Sequence, residues 1–247
     1  MSLFNALSQT LFVGRDLLHL PQCASTNSLL LEECRAKGVP YGKVLITSHQ
    51  TAGRGQQGTW HSEKGLNLTF SVALHPHLAA GKQFFLSIIA SLAIIDYLKI
   101  LKVEAAIKWP NDILINERKC CGILIENILE GTCVKTSVAG IGLNVNQRQT
   151  PPAISVGQVT GRRHDLQEEL ERALICFEKR LLQIEKEKEL KAAYESHLLG
   201  MKEERRFLMN DKTIVAEVRG VEESGRLLLS CDDKIFSVGM KELKWIF

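Results

Sequence analysis

Gly53, Gly55 and Gly58 in HQTAGRGQQGTWHS (49–62) spell G-x-G-x-x-G. A dinucleotide-binding turn with that pattern needs a strand before it, a helix opening on its last glycine, and an acidic residue about twenty positions on. GKVLITSHQ (42–50) supplies the strand. The following TWHSEKGLNLTFSVAL, rich in Thr, Val and aromatics and broken at Gly65, reads as a turn and a second strand, and ALHPHL (73–78) holds no carboxylate for a ribose. A strand, a glycine loop carrying Arg54 and a returning strand remain. Glycines let the backbone take positive φ and approach a ligand closely, while a guanidinium offers a fixed fork of donors to a carboxylate or phosphate. An ordinary flexible hairpin has the same composition.

Three further stretches carry candidate chemistry. KWPND (108–112) sets Lys, Trp, Asn and Asp around a proline, RKCCGILIE (118–126) follows a short turn later, and GIGLNVN (140–146) comes after a further hairpin. Each also has a structural reading: Trp109 as a half-buried core aromatic, Asn111-Asp112 as a turn, Lys119 as a solvated hairpin charge, and the glycines of 140–146 as relief of crowding in a strand. The seven cysteines include no C-x-x-C, only the adjacent pair Cys120 and Cys121, which argues against a disulfide framework and against a zinc site and for reducing cytoplasm.

The elements that must position these residues follow from periodicity. Residues 10–20 read as a strand, and STNSLLLEECRAKG as a helix with a Ser/Thr/Asn cap that stops at Gly38. FFLSIIASLAIIDYLKIL, from Phe84, is interrupted by Ser87, Ser91, Asp96 and Lys99, so a buried helix over about 83–101 is expected rather than a membrane span. AAIKWPNDILI, KCCGILIENI and CVKTSVAGIGLNVN read as β segments joined by NERK and LEGT. From Asp165 to about Leu199, Leu166, Leu170, Leu174, Phe177 and Leu181 mark amphipathic helix, closed at Gly200. Residues 203–247 alternate through turns without a helical period. At 247 residues with net charge +3, the chain has room for one large core and a small second unit, and its charge does not point to nucleic acid. The N-terminus lacks the basic region of a signal peptide.

Taken together, these residues resemble the biotin protein ligases. STN (25–27), QTAGRGQQG (50–58), KWPND, RKCCGIL (118–124) and GIGLNVN stand in that family's order and approximate spacing, and GVEESGRLLL (220–229) fits its terminal β unit. The resemblance covers nearly the whole chain. It implies an α+β fold: a class II aminoacyl-tRNA-synthetase-like catalytic domain with mixed sheet and flanking helices over residues 1–200, plus a small SH3-like β-barrel over 203–247. It implies an enzyme that joins biotin to ATP as biotinyl-5'-AMP, releases pyrophosphate, and passes biotin to one lysine of the biotin carboxyl carrier domain of acetyl-CoA carboxylase or a related carboxylase. A lipoate ligase or octanoyltransferase would share the fold, but those enzymes lack K-W-P-N-D and the G-R-G loop. Bifunctional relatives carry a winged-helix domain before the STN motif; here that motif comes early, so a monofunctional ligase without a DNA or membrane partner is expected. A homodimer through the sheet remains open.

The resemblance also implies roles. Bringing a carboxylate against a triphosphate needs fixed cations, for which Arg54 and Lys119 are the candidates. Mg²⁺ would bridge the phosphates, with Asn144 as an oxygen donor near nucleotide and metal. Trp60 and Asn111 belong to the ATP side. Ser25, Thr26, Asn27 and Gln50 would meet the ureido ring of biotin, with Gly53, Gly55, Gln56, Gly122 and Trp109 lining its pocket beside Arg54 and Lys119. Asp112 would orient the acceptor lysine, whose reference pKa is about 10.4, and take its proton. Gln56 departs from the arginine that many members carry, Gln57 is also uncharged, and only Thr59 separates Gly58 from Trp60, one residue short of the commoner form. Firm retention of the adenylate is therefore the property expected to suffer. Residues 53–62 and 147–157 are expected to order over biotin and ATP respectively.

Overall fold

The computed structural model describes residues 4–56, 58–148, 152–232 and 234–247. Gln57 and the 149–151 part of the 147–157 segment lie outside the described residues.

An eight-stranded mixed sheet forms the larger part. Its strands are β1 (Leu17–Leu20), β2 (Val44–Thr47), β3 (Leu68–Leu74), β4 (Leu78–Ala79), β5 (Ala106–Lys108), β6 (Asp112–Ile115), β7 (Arg118–Glu130) and β8 (Cys133–Leu143). Their order is β1-β2-β3-β8-β7-β6-β5, with β4 also on β8, and every pair is antiparallel except β1 with β2. Successive side chains in a strand point to opposite faces, so the sheet sorts its residues by parity. On one face Leu45, Ala73 and Val138 receive Leu30 and Leu31 of helix α1 (Thr26–Lys37). On the other, Val44, Ile46, Phe70, Val72 and Ile141 join the main core with α2 (Phe84–Ile100), which is buried along nearly its whole length. Outside α2 lie α4 (Leu166–Leu181) and α5 (Glu187–Ser196), following the short α3 (Val156–Thr160).

Local signals fix several of these elements. Ser25 caps α1 by accepting from the Ser28 amide, and Gly38 ends the helix at φ 69°. The expected strand over 10–20 shrinks to β1, because the turn before it has another purpose: the backbone amides of Leu11, Phe12 and Val13 all donate to the Glu178 carboxylate, at 2.8, 2.9 and 3.0 Å. A chain whose consecutive N–H groups converge on one anion cannot offer them to a sheet ladder. α5 ends at Ser196, with His197 as its C-cap, rather than at Gly200.

The C-terminal strands β9 (Glu204–Met209), β10 (Lys212–Val221), β11 (Leu227–Cys231), β12 (Lys234–Val238) and β13 (Lys244–Ile246) make a second sheet, ordered β12-β11-β10-β9-β13. This corrects the expectation of a closed barrel: among the described residues no ladder joins β12 to β13. Met240 and Leu243 of the connecting segment, with Lys244 and Trp245 of β13, border a cleft in the first sheet. Phe207, Ala216, Val218, Leu227 and Leu229 of the second sheet belong to the same continuous core as α2.

Candidate active site

Parity places the chemistry. On the α1 side of the sheet the registers run Lys108 opposite Asp112, Asp112 opposite Gly122, Gly122 opposite Gly142, and Gly142 opposite Thr69. α1 covers only one end of that face. The uncovered remainder is the floor of a cleft of about 300 Å³, roofed by the glycine loop and walled by the end of the second sheet.

The glycines of the floor make room for side chains. A Cβ on Gly140 would collide with Asn27 Oδ1, and one on Gly142 would collide with the Trp60 ring. Asn27 fills the first space, donating to the Leu124 carbonyl and to Glu126 while its oxygen accepts from Ser71 at 2.6 Å. Trp60 fills the second with its indole N–H buried and unpartnered among the described residues. Gln50 Oε1 accepts from both the amide and the hydroxyl of Thr26, at 2.8 and 3.1 Å, so that side chain is already oriented.

Lys119 reaches this face through an irregularity. Ile113 pairs with Cys121 but Leu114 with Lys119, which leaves Cys120 without a partner on β6. A one-residue bulge inverts side-chain parity beyond it, so Lys119 falls on the same face as Asp112. Its ammonium lies 2.6 Å from Asp112 Oδ1, and its chain crosses Gly122, where a Cβ would meet Lys119 Cε and Nζ at 3.0 Å. The two cysteines point inward; burial pushes the Cys120 thiol up to about 12 and raises that of Cys121 well above the usual thiol range, which leaves neither as a nucleophile.

Arg54 sits at a tight turn in which Gly55 N–H donates to the Gly58 carbonyl and Trp60 N–H to the Gly53 carbonyl. Its guanidinium donates to both oxygens of Glu126, at 2.9 and 2.7 Å. The loop is thus a strand–turn–strand connection and opens no helix, in keeping with the rejection of a dinucleotide turn. Gln56 turns away from the floor and donates to Met240 Sδ of the second sheet.

Ser25, Thr26, Asn27, Gln50, Arg54, Gly55, Gln56, Trp60, Trp109, Asn111, Asp112, Lys119 and Gly122 all border the cleft. Gly53 stands just behind, where a Cβ would strike the Trp60 carbonyl and Gln50. Trp109 and Asn111 are mostly spent on architecture: the Trp109 indole donates to the Gly225 carbonyl at 2.9 Å, and Asn111 to the Ile123 carbonyl. Asn144 is not among the lining residues. It is buried beneath β7 and donates to the Lys119 and Ile154 carbonyls, both at 3.3 Å, while its Oδ1 is buried without a partner among the described residues.

Sequence reasoning passed over Lys108, Met240, Lys244 and Trp245, all of which border the cleft. For Lys108 the signal was present, since it opens KWPND. The three C-terminal residues lie in a stretch whose approach to the first sheet is a tertiary fact with no local signature.

The donor set decides what metal the cleft can take. Its carboxylates are engaged, Asp112 by Lys119 and Glu126 by Arg54, and no cluster of three or more His, Cys, Asp or Glu fit for a metal occurs among the described residues. Mg²⁺ keeps several waters and binds through phosphates with one or two protein oxygens. The unpartnered amide oxygen of Asn144 is buried beneath the floor rather than in the cleft lining, so a cation fits here only as one brought in with a nucleotide.

Fold and cleft together define a ligase. The chain belongs to the Biotin/lipoate A/B protein ligase family, whose profile matches residues 20–146. It is 30% identical to the bifunctional ligase/repressor BirA of Bacillus subtilis (strain 168), over 94% of this chain and 76% of that protein. It is 31% identical to the biotin--[acetyl-CoA-carboxylase] ligase of Mycobacterium tuberculosis, over 87% of this chain and 83% of that one. Among solved structures it is similar to the biotin protein ligase from Aquifex aeolicus in complex with biotin and ATP, with TM-score 0.76 and 29% identity across 93% of this chain and 98% of the other.

Proposed function

We propose that the chain activates biotin with ATP as biotinyl-5'-AMP and transfers the biotinyl group to a lysine of a biotin carboxyl carrier domain. The observation that carries this reading is the gathering, around one cleft, of oriented amide and hydroxyl groups at Thr26 and Gln50 with two cations at Arg54 and Lys119. The amide and hydroxyl groups suit a small polar ring in an otherwise apolar wall, where each unmatched group would cost about 1–3 kcal/mol. With Gln50 Oε1 fixed by Thr26, its NH₂ is the donor left for the ureido carbonyl. Ser25 and Asn27 hold the helix cap and the strand pair on which that end of the cleft is built.

Activation sets a carboxylate against a triphosphate. Arg54 and Lys119 cancel the repulsion, each keeping its carboxylate, Glu126 or Asp112, while its remaining N–H donors meet substrate oxygens. Trp60 offers an aromatic plane to the nucleotide base, with Asn111 beside it. Mg²⁺ bound with the phosphates would supply further charge neutralisation, and Asn144, whose Oδ1 is buried beneath the floor, would hold it through the cation's water shell. In transfer, Asp112 orients the acceptor ammonium.

Division at about residue 200 into a catalytic unit and a C-terminal unit fits the two sheets, which nevertheless share one core. A cytoplasmic setting fits the seven free cysteines. The test is incubation with biotin, labelled ATP and an apo carrier domain. Biotin-dependent pyrophosphate release and label-free biotinylated carrier are expected; activity on lipoate or octanoate in place of biotin would sink the reading.

A further inference from the structure

The proton lost by an acceptor amine needs a base, and the carboxylate best placed to take it is already bound, since Asp112 Oδ1 holds Lys119 Nζ at 2.6 Å. A second amine stands next to that pair. Lys108 lies directly opposite Asp112 in the β5–β6 register, on the same face of the sheet, and borders the cleft. Its stem is half-buried in the wall between the two sheets.

Building on the function proposed above, we propose that Lys108 is the catalytic base of the transfer step, receiving the proton of the acceptor lysine. The acceptor Nζ, in its neutral form, attacks the carbonyl carbon of biotinyl-5'-AMP and the C–N bond forms. The bond from that carbon to the phosphate oxygen breaks, its electron pair leaving on AMP. The proton of the attacking nitrogen passes to the neutral Lys108 amine. Lys108 then becomes an ammonium as the leaving phosphate gains charge, so base and stabilising cation are one group.

The surroundings suit that task. Burial lowers the Lys108 pKa, Asp112 opposes the shift, and the Lys119 charge adds to it. Arg54, paired with Glu126, and Lys244 are the other cations that border the same cleft. The Phe247 ring, with its centroid 5.2 Å from Lys108 Nζ, favours the ammonium. Phe247 is 64% exposed, so its influence is the smaller one. An amine poised toward working pH is what a general base requires.

Enzyme loaded with biotin and ATP is mixed in single turnover with an apo biotin carboxyl carrier domain across a pH series. Lys108→Arg keeps the charge and removes the base. Biotin-dependent pyrophosphate release should stay within a few-fold of wild type while transfer falls by about 10²–10⁴-fold. The acceptor's own titration is common to all variants; the added rise with pH from Lys108 should vanish in Lys108→Arg. Phe247→Leu removes the ring that favours the ammonium, so the midpoint of the rise should move down by a few tenths of a pH unit, a shift that a purely structural role would not produce. Transfer at the wild-type rate by Lys108→Arg, or parallel loss of both steps, overturns the proposal. Should Lys108→Arg not fold, an unmoved midpoint in Phe247→Leu overturns it equally. Wild-type enzyme that forms no biotinyl adenylate overturns the parent reading itself; normal adenylation with normal transfer in Lys108→Arg overturns this one alone.

Discussion

Lys119 meets Asp112 because Cys120 has no ladder partner on β6: the bulge between Cys121 and Lys119 carries the lysine to the aspartate's face, where ammonium and carboxylate stand 2.6 Å apart. In a ladder regular through Cys120, Lys119 would fall opposite Ile115 and point into the core. The pair is partly exposed, so its contribution to stability is small, whereas a cation at a phosphoryl centre is worth about 3–4 kcal/mol.

Lys119→Ala is therefore expected to leave the melting temperature nearly unchanged and to lower biotin-dependent pyrophosphate release by about 10²–10³-fold. Calorimetry and pyrophosphate assay on the same preparation check it. Wild-type turnover in this variant would remove Lys119 from the chemistry.

Much of this arrangement is legible in the amino-acid order alone. The Ser25 cap and Gly38 stop of α1, the buried α2, the strand-loop-strand around Arg54 and the helices after Asp165 are written in local periodicity and capping chemistry. Other features are set by partners far along the chain. The strand expected over 10–20 loses most of its length to Glu178, some 160 residues away, and the expected barrel stays open where Met240 and Trp245 border the cleft. A bulge leaves almost no trace in sequence, so the route of Lys119 to its face has no local signature. Asn144 shows the same limit: its motif draws attention to it, yet its amide is committed to the Lys119 and Ile154 carbonyls beneath the floor.

Gly140 and Gly142 are adjacent in parity but differ in what they protect. Alanine at 140 would drive a methyl into Asn27, whose amide bonds both Leu124 and Glu126, so Gly140→Ala should destabilise by about 1–3 kcal/mol. Alanine at 142 would meet the Trp60 ring first, part of a loop that can yield. Gly142→Ala should keep its stability to within about 1 kcal/mol and raise the KM for ATP. Denaturant melts with KM measurements separate the two; equal destabilisation would contradict the assignment.

Residues 53–62 hang on a few backbone bonds and on side-chain ties of Arg54 and Gln56 to Glu126 and Met240. Amide exchange in this segment should slow when biotin and ATP are both added, while exchange in α2 stays the same. Equal protection of the loop with and without ligands would mean that it does not close over them.

Gln56 gives the loop's hold on the adenylate a sharper test. Its amide donates to Met240 Sδ, so the loop is anchored to the second sheet by a weak neutral contact, at a position bordering the cleft where a cation would reach bound phosphate. A charge-assisted bond is worth about 1 kcal/mol more than a neutral one. Gln56→Arg should accordingly slow release of biotinyl-5'-AMP by roughly fivefold, since 1 kcal/mol is a factor of about five. Met240→Leu, which removes only the sulfur acceptor, should by contrast speed release if the anchor itself helps to hold the loop shut. Chasing labelled adenylate with unlabelled biotin and ATP measures both. An unchanged off-rate in Gln56→Arg means that Arg54 and the backbone amides already saturate the phosphate, and that position 56 serves only to tether the loop to the second sheet.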